Sequence, residues 1–215
     1  MTILTDRSLI SAVGTRAIRV SSLTGGERPG GVVQPASIEL HLGEHLLGFP
    51  MLDTPSAICD PLNPPEMEPR GWSHNDVWGD HYLLQYGEMI LGATHERVAI
   101  SRGYVGQLEG KSTLGRLGLF VHITAGYIDP GWGEMKPPPP KAFDRLGGAP
   151  ITLELLNMGP HQLLLRPRMP IAQLIVHSTS GPAAYGYGHP RMGSHYADSA
   201  AFEGPVGARA LGSAQ

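Results

Sequence analysis

Ser37-Ile38-Glu39-Leu40-His41-Leu42 alternates without a break, with Ile38, Leu40 and Leu42 on one side of an extended chain and Ser37, Glu39 and His41 on the other. That period of two describes a half-buried strand. The same texture recurs outward from it. Tyr82–Leu84, Met89–Ala93, Val98–Ile100 and Tyr104–Leu108 read as strands separated by glycine, serine or charged turns, and Phe120–Thr124, Ile151–Leu156, Gln162–Leu165 and Ile171–His177 follow. Many short strands at this spacing, in a chain of 215 residues with 29 Gly and 20 Pro, predict an all-β barrel or sandwich. One short helix is expected near the N-terminus, where Thr5, Asp6 and Ser8 precede Leu9 and Ile10 and Gly14 provides the stop.

The chain reads as a single domain, residues 1–215. Pro50–Gly79 has little periodicity and is expected to be a long excursion between strands. Residues 135–149 contain Pro137–Pro140, which cannot feed a central ladder, so an exposed proline-rich insertion is expected there. From about residue 186 onward apolar periodicity fades, and a flexible C-terminal tail is expected.

Charge and motifs exclude several functions. A formal net charge of −3 and the lack of a local basic patch argue against binding a nucleic-acid duplex. Met1–Val20 carries Asp6, Arg7, Arg16 and Arg19 among short apolar runs, so neither a signal peptide nor a membrane span is expected. A soluble, cytoplasmic protein is the expectation, and the single cysteine, Cys59, suits a reducing compartment. Gly110-Lys111-Ser112 is not a phosphate-binding P-loop, because Gly106 stands one residue too close and strands rather than a helix are expected to follow. A zinc deaminase needs a Cys-x-x-Cys pair, which one cysteine cannot supply. His95-Glu96 opens a zincin pattern that Ala99 breaks.

Five segments in order carry a more specific signal. They are Val33-Gln34-Pro35-Ala36-Ser37-Ile38-Glu39-Leu40, Glu109 through Leu119, Thr124-Ala125-Gly126-Tyr127-Ile128-Asp129-Pro130-Gly131-Trp132, Ile151 through Asn157, and Arg166-Pro167 through Ile171-Ala172-Gln173-Leu174. Together they resemble the dCTP deaminase family. The resemblance implies a distorted β-barrel related to the dUTPases, a homotrimer with active sites between subunits, and hydrolytic deamination of dCTP to dUTP without zinc. It places Mg2+ on the nucleotide phosphates, with no metal ligands on the protein.

Residue roles follow from that resemblance. Glu154 matches the catalytic glutamate that shuttles protons, and its position among Leu153, Leu155 and Leu156 predicts poor hydration and a raised pKa. Ser112 and Arg116 match residues that hold the water and orient the glutamate, Arg116 reaching in from a neighbouring subunit. Lys111, Ser112 and Thr113 suit phosphate oxygens. Asp129 matches a residue near the deoxyribose 3′-hydroxyl, and its dUTPase counterpart activates the attacking water. The backbone of Thr124 and Ala125 is expected to read the pyrimidine edge, with Gln173 and Tyr187 completing the nucleotide site.

At His195 the chain departs from the family, which commonly has a lysine there, so phosphate affinity is expected to be lower or pH-dependent. Ala197 and Ser199 likewise replace glutamines. Two further readings stay open. One is a bifunctional enzyme that yields dUMP and pyrophosphate, or a dUTPase cleaving only the anhydride; Glu109-Gly110-Lys111 and Thr124 through Asp129 resemble the bifunctional branch. The other is a nucleotide-binding regulator without turnover.

Overall fold

The alternation at Ile38–Leu42 becomes the middle of a sheet, with Ile38, Leu40 and Leu42 fully buried and Glu39 and His41 half-buried on the opposite face. In the computed structural model, which describes residues 2–23, 25–26, 28–49, 58, 67–71, 80–134, 147–192, 194 and 196, the chain forms β1 (Thr2–Ile3), α1 (Asp6–Gly14), β2 (Ile18–Val20), β3 (Ile38–Gly48), β4 (Glu68–Arg70), β5 (Tyr82–Leu84), β6 (Met89–Ile100) and β7 (Tyr104–Gly110). There follow α2 (Ser112–Arg116), β8 (Leu119–Phe120), β9 (Tyr127–Ile128), β10 (Ala149–Asn157), β11 (Leu163–Leu165), β12 (Pro170–Ser178) and one 3-10 turn, Pro190–Met192.

All named strand pairs are antiparallel. The main path runs β8-β10-β6-β3-β12-β7-β9, with β1, β2 and β4 paired to β12, β6 and β3, and β5 and β11 form a separate ribbon. This path must curl. Laid flat, seven strands would put β8 and β9 about 29 Å apart, whereas the seven residue steps from Phe120 to Tyr127 span at most about 25 Å. Inside the curl lies one core, to which Leu9 and Val13 of α1, Leu40 of β3, Ile100 of β6, Leu153 of β10 and Leu174 of β12 all contribute. The fold is all-β, as expected, with its main sheet curled around the core.

Several elements differ from the sequence reading. Met89–Ala93 and Val98–Ile100 are one continuous strand, because Thr94 and Glu96 are buried with partners: Thr94 Oγ1 donates to Glu96 O at 2.7 Å and accepts from the Ile151 amide at 2.9 Å. The strand expected at Phe120–Thr124 is shorter, and only Leu119–Phe120 pair in the ladder. A helix, α2, does follow Gly110-Lys111-Ser112, contrary to the expectation of strands, although the glycine spacing still excludes a P-loop. It lasts five residues because Gly118, at φ +89°, turns the chain where a side chain would collide with the Gly159 backbone.

α1 matches the expected helix, with Thr5 extended at its start but making no side-chain cap. Most of Pro50–Gly79, with Cys59, and residues 135–146 of the proline-rich insertion lie outside the described residues. Where the chain re-enters, Gly148 lies against the Val98 backbone and Ala149 already belongs to β10. His195 and residues 197–215 also lie outside the described residues. Tail residues before them are tied down: Arg102 Nη1 donates to Ala184 O at 3.0 Å, and the Tyr187 amide donates to Pro130 O at 2.7 Å.

Candidate active site

Alternation along β10 turns Leu153 and Leu155 into the core and leaves Thr152, Glu154 and Leu156 on the other face. Glu154 is half-buried. Its amide still donates to Val121 O at 3.1 Å, as a sheet neighbour would, but its carboxylate then replaces the ladder: Oε2 accepts the Ile123 amide at 2.7 Å and the Thr124 amide at 3.4 Å. That capture explains why β8 stops early and the chain from Val121 to Thr124 wraps the carboxylate. Among the described residues Oε1 has no hydrogen-bond partner.

Glu154 lines a cavity of about 360 Å³ with Asp129, Ala125 and Tyr187. Leu91, directly opposite Glu154 across the β6–β10 pair, and Met89, opposite Leu156, form an apolar wall that Phe49 and Met67 extend. This wall covers one side of the carboxylate and comes from β6 and its neighbours, whereas Leu153 and Leu155, beside Glu154 in sequence, face the core. Two polar ring atoms of the lining, His122 Nδ1 and Trp132 Nε1, are buried with no hydrogen-bond partner among the described residues. Leaving such an atom unmet costs about 1–3 kcal/mol.

The Asp129 turn is positioned by the tail. Gly131, at φ +87°, brings its backbone so close to Gly186 that a Cβ would sit 2.6 Å from the Gly186 Cα. The Tyr187 ring then packs on Trp132 with centroids 4.9 Å apart and planes at 49°. Burial, and after it the nearby charge of Asp129, raise the Tyr187 phenol above its ordinary value while a backbone hydrogen bond from Tyr196 works against them. At neutral pH Tyr187 therefore presents a neutral hydroxyl.

The remaining expected site residues lie elsewhere on the protomer. Ser112, Thr113 and Arg116 are exposed on α2 and do not line the cavity. Lys111, just before α2, pairs with Glu39. Gln173 accepts from Ser37 Oγ at 3.2 Å and reaches Gly110 O at 3.5 Å. Thr124 contributes its amide to Glu154 rather than a side chain to the cavity lining. Sequence reasoning did not single out His122, Thr152, Tyr127 or the apolar wall. Thr152 was within reach, being two residues from Glu154 on the same strand face; the wall required the β6–β10 register.

Among the described residues no three His, Cys, Asp or Glu side chains gather as a metal-binding group. The cavity lining carries two carboxylates, Glu154 and Asp129, fewer oxygen ligands than a divalent cation takes from a protein cage. None of the helices among the described residues is long and apolar enough to cross a membrane.

Fold and cavity together define an antiparallel β protein with two carboxylates lining one pocket. The chain belongs to the dCTP deaminase-like family, whose profile matches residues 3–179. It is 33% identical over 196 residues to the dUMP-forming dCTP deaminase of Methanothermobacter thermautotrophicus, covering 91% of this chain and 89% of the relative. It is 37% identical over 180 residues to the dUMP-forming dCTP deaminase of Halobacterium salinarum, covering 84% and 82%. A dCTP deaminase of Halorubrum lacusprofundi is 36% identical over 180 residues, covering 82% and 77%. Among solved structures, the 2′-deoxycytidine 5′-triphosphate deaminase of Agrobacterium tumefaciens shares the fold at a TM-score of 0.51 and 16% identity, covering 82% of this chain and 48% of that one, so this chain spans about half its length.

Proposed function

We propose that the protein deaminates dCTP and cleaves the resulting dUTP to dUMP and pyrophosphate. The observation that carries this reading is the placement of Glu154 and Asp129 in one cavity, one carboxylate for each step. The names of two relatives, dUMP-forming deaminases, favour this bifunctional reading over deamination that stops at dUTP.

In the first step Glu154 accepts a proton from a water that adds to C4 of cytosine and delivers a proton to N3. It then takes the proton of the new C4 hydroxyl and passes it to the amino nitrogen as the C4–N bond breaks, so that dCTP and water give dUTP and ammonia. The Ile123 and Thr124 amides hold Oε2 while Oε1 carries out the transfers. In the second step Asp129 orients a water toward the α-phosphate for in-line displacement of pyrophosphate; Mg2+ carried on the phosphates would supply charge neutralisation there. Tyr187, over Trp132, closes the sugar end of the cavity.

Ser112, Thr113 and Arg116 lie exposed outside this cavity, which supports a homotrimer in which α2 of one copy completes the site of the next. Each site then combines Glu154 and Asp129 from one chain with Ser112 and Arg116 from another. Incubation with dCTP and Mg2+ should release ammonia. A correctly folded protein that releases none, at any nucleotide concentration tested, would eliminate the reading.

A further inference from the structure

A line of four titratable side chains runs from the barrel interior to the segment before α2, outside the cavity described above. It begins at Glu96, 1% exposed on β6. Glu96 Oε2 accepts the His41 amide at 2.9 Å, and its Oε1 accepts from His41 Nδ1 at 2.7 Å, a carboxylate being able only to accept. The far side of the same ring faces a second carboxylate, with His41 Nε2 3.7 Å from Glu39 Oε1. The other oxygen of Glu39 pairs with Lys111 Nζ. The side chains of Glu39 and Lys111 are 21% and 29% exposed, so the pair is shielded from water more than a surface salt bridge.

A second tie reaches the same turn from the neighbouring strand. Gln173 stands opposite both Glu39 and Glu109 in the sheet, its Nε2 reaches Gly110 O at 3.5 Å, and its Oε1 accepts from Ser37. Two side chains on adjacent strands therefore hold consecutive residues, Gly110 and Lys111, immediately before the exposed hydroxyls of Ser112 and Thr113. A lysine on a free four-carbon arm loses rotamer freedom when it binds an anion. A lysine already held has lost much of that freedom beforehand.

We propose that Glu39, anchored by His41 and the buried Glu96, is a positioning residue that presets Lys111 and its turn for the phosphates of the nucleotide. The inference rests on the proposed function, since it assigns Lys111 to nucleotide phosphates. An opposite effect is built into the same geometry: a carboxylate beside a phosphate site repels the ligand, and its removal would then tighten binding. The direction of the change therefore decides between them.

The test uses the full-length protein with Glu39→Gln, Lys111→Met and the double variant. KM for dCTP should rise about fivefold in Glu39→Gln, the scale of one partly shielded ion pair, with kcat changed less than twofold. In the Lys111→Met background, Glu39→Gln should add nothing, because Glu39 acts through the ammonium. Acylation of Lys111 in the nucleotide-free protein, read by mass spectrometry, should accelerate in Glu39→Gln. The charge-conserving Glu39→Asp, whose arm is one methylene shorter, provides a second variant should the first fail to fold, and it should shift KM and Lys111 reactivity in the same direction. An unchanged or lowered KM, or an effect of Glu39→Gln that persists without Lys111, overturns the positioning role. Faster acylation in a protein whose wild type turns over no dCTP would instead preserve the tether and overturn its assignment to nucleotide binding.

Discussion

Replacing Glu154 by glutamine separates proton transfer from the structural duty of the same side chain. Glutamine keeps the shape and one carbonyl oxygen, which can still accept the Ile123 amide now bound by Oε2 at 2.7 Å and the Thr124 amide at 3.4 Å. What disappears is the charge assistance of those bonds. A hydrogen bond to a charged group contributes about 1.5–3 kcal/mol and a neutral one about 0.5–1.5, so the difference is about 1 kcal/mol, and less here because Glu154 is half-buried. For a chain of 215 residues, that lowers Tm by about 2–4 °C. Turnover should fall far more, by at least about a hundredfold, because the amide cannot shuttle protons. Such a drop corresponds to about 2.7 kcal/mol of barrier and cannot come from so small a loss of stability. The assay is ammonia release from dCTP with Mg2+, well below the melting transition, alongside a thermal melt. Turnover within tenfold of wild type would refute the assignment of Glu154, however the melt behaves. Glu154→Ala gives the contrast, since it leaves both amides without their acceptor and should cost about 1–3 kcal/mol of stability as well as activity.

Further substitutions and measurements probe the site, the assembly and the surrounding fold. Asp129→Asn should leave ammonia release from dCTP largely intact while dUTP accumulates, as nucleotide chromatography would show; full dUMP formation in that variant would remove Asp129 from the second step. In solution the protein should scatter light as a trimer, and mixing inactive Glu154→Gln with inactive Arg116→Ala under subunit exchange should restore activity, because some mixed sites receive both intact residues. No recovery in demonstrably mixed trimers would place Arg116 outside the neighbour's site. Tyr82 donates to Glu88 at 2.7 Å, and burial first, then that bond, push its phenol up to about 12 from its ordinary value of 10.0. The folded value being the higher one, its stabilising contribution is complete below pH 10 and is lost as pH rises through about 12. Tyr82→Phe should therefore flatten the fall in Tm across that window, and an unchanged slope would count against it.

How far the sequence could be read follows from which contacts are local. The strand containing Leu40 was visible because one of its faces is fully buried and the other is polar, a contrast written into consecutive residues. β6 looked broken because Thr94, His95, Glu96 and Arg97 are polar, yet Glu96 is satisfied by His41, 55 residues away, and such a partner leaves no trace in a hydropathy pattern. β8 was overextended for a related reason: the groups that end it are Ile123 and Thr124 amides captured by a carboxylate about 30 residues further on. α2 contains Gly115, is flanked by Gly110 and Gly118, and has too few residues for helical periodicity; it is held by the turn around Lys111 and by Leu114 packing on the core. For the site, Glu154, Asp129 and Tyr187 were legible from the family motifs and do meet in one cavity. The apolar wall of Met89 and Leu91 was not, since only the pairing of β6 with β10 sets it against Glu154.

The most direct measurement is a time course of wild-type protein with dCTP and Mg2+ in which ammonia, pyrophosphate, dUTP and dUMP are quantified from the same samples. Ammonia and pyrophosphate should appear together in equal amounts, with dUMP matching both and little free dUTP. Ammonia with accumulating dUTP and no pyrophosphate would contradict the two-carboxylate division of labour, and pyrophosphate from added dUTP with no ammonia from dCTP would contradict deamination itself.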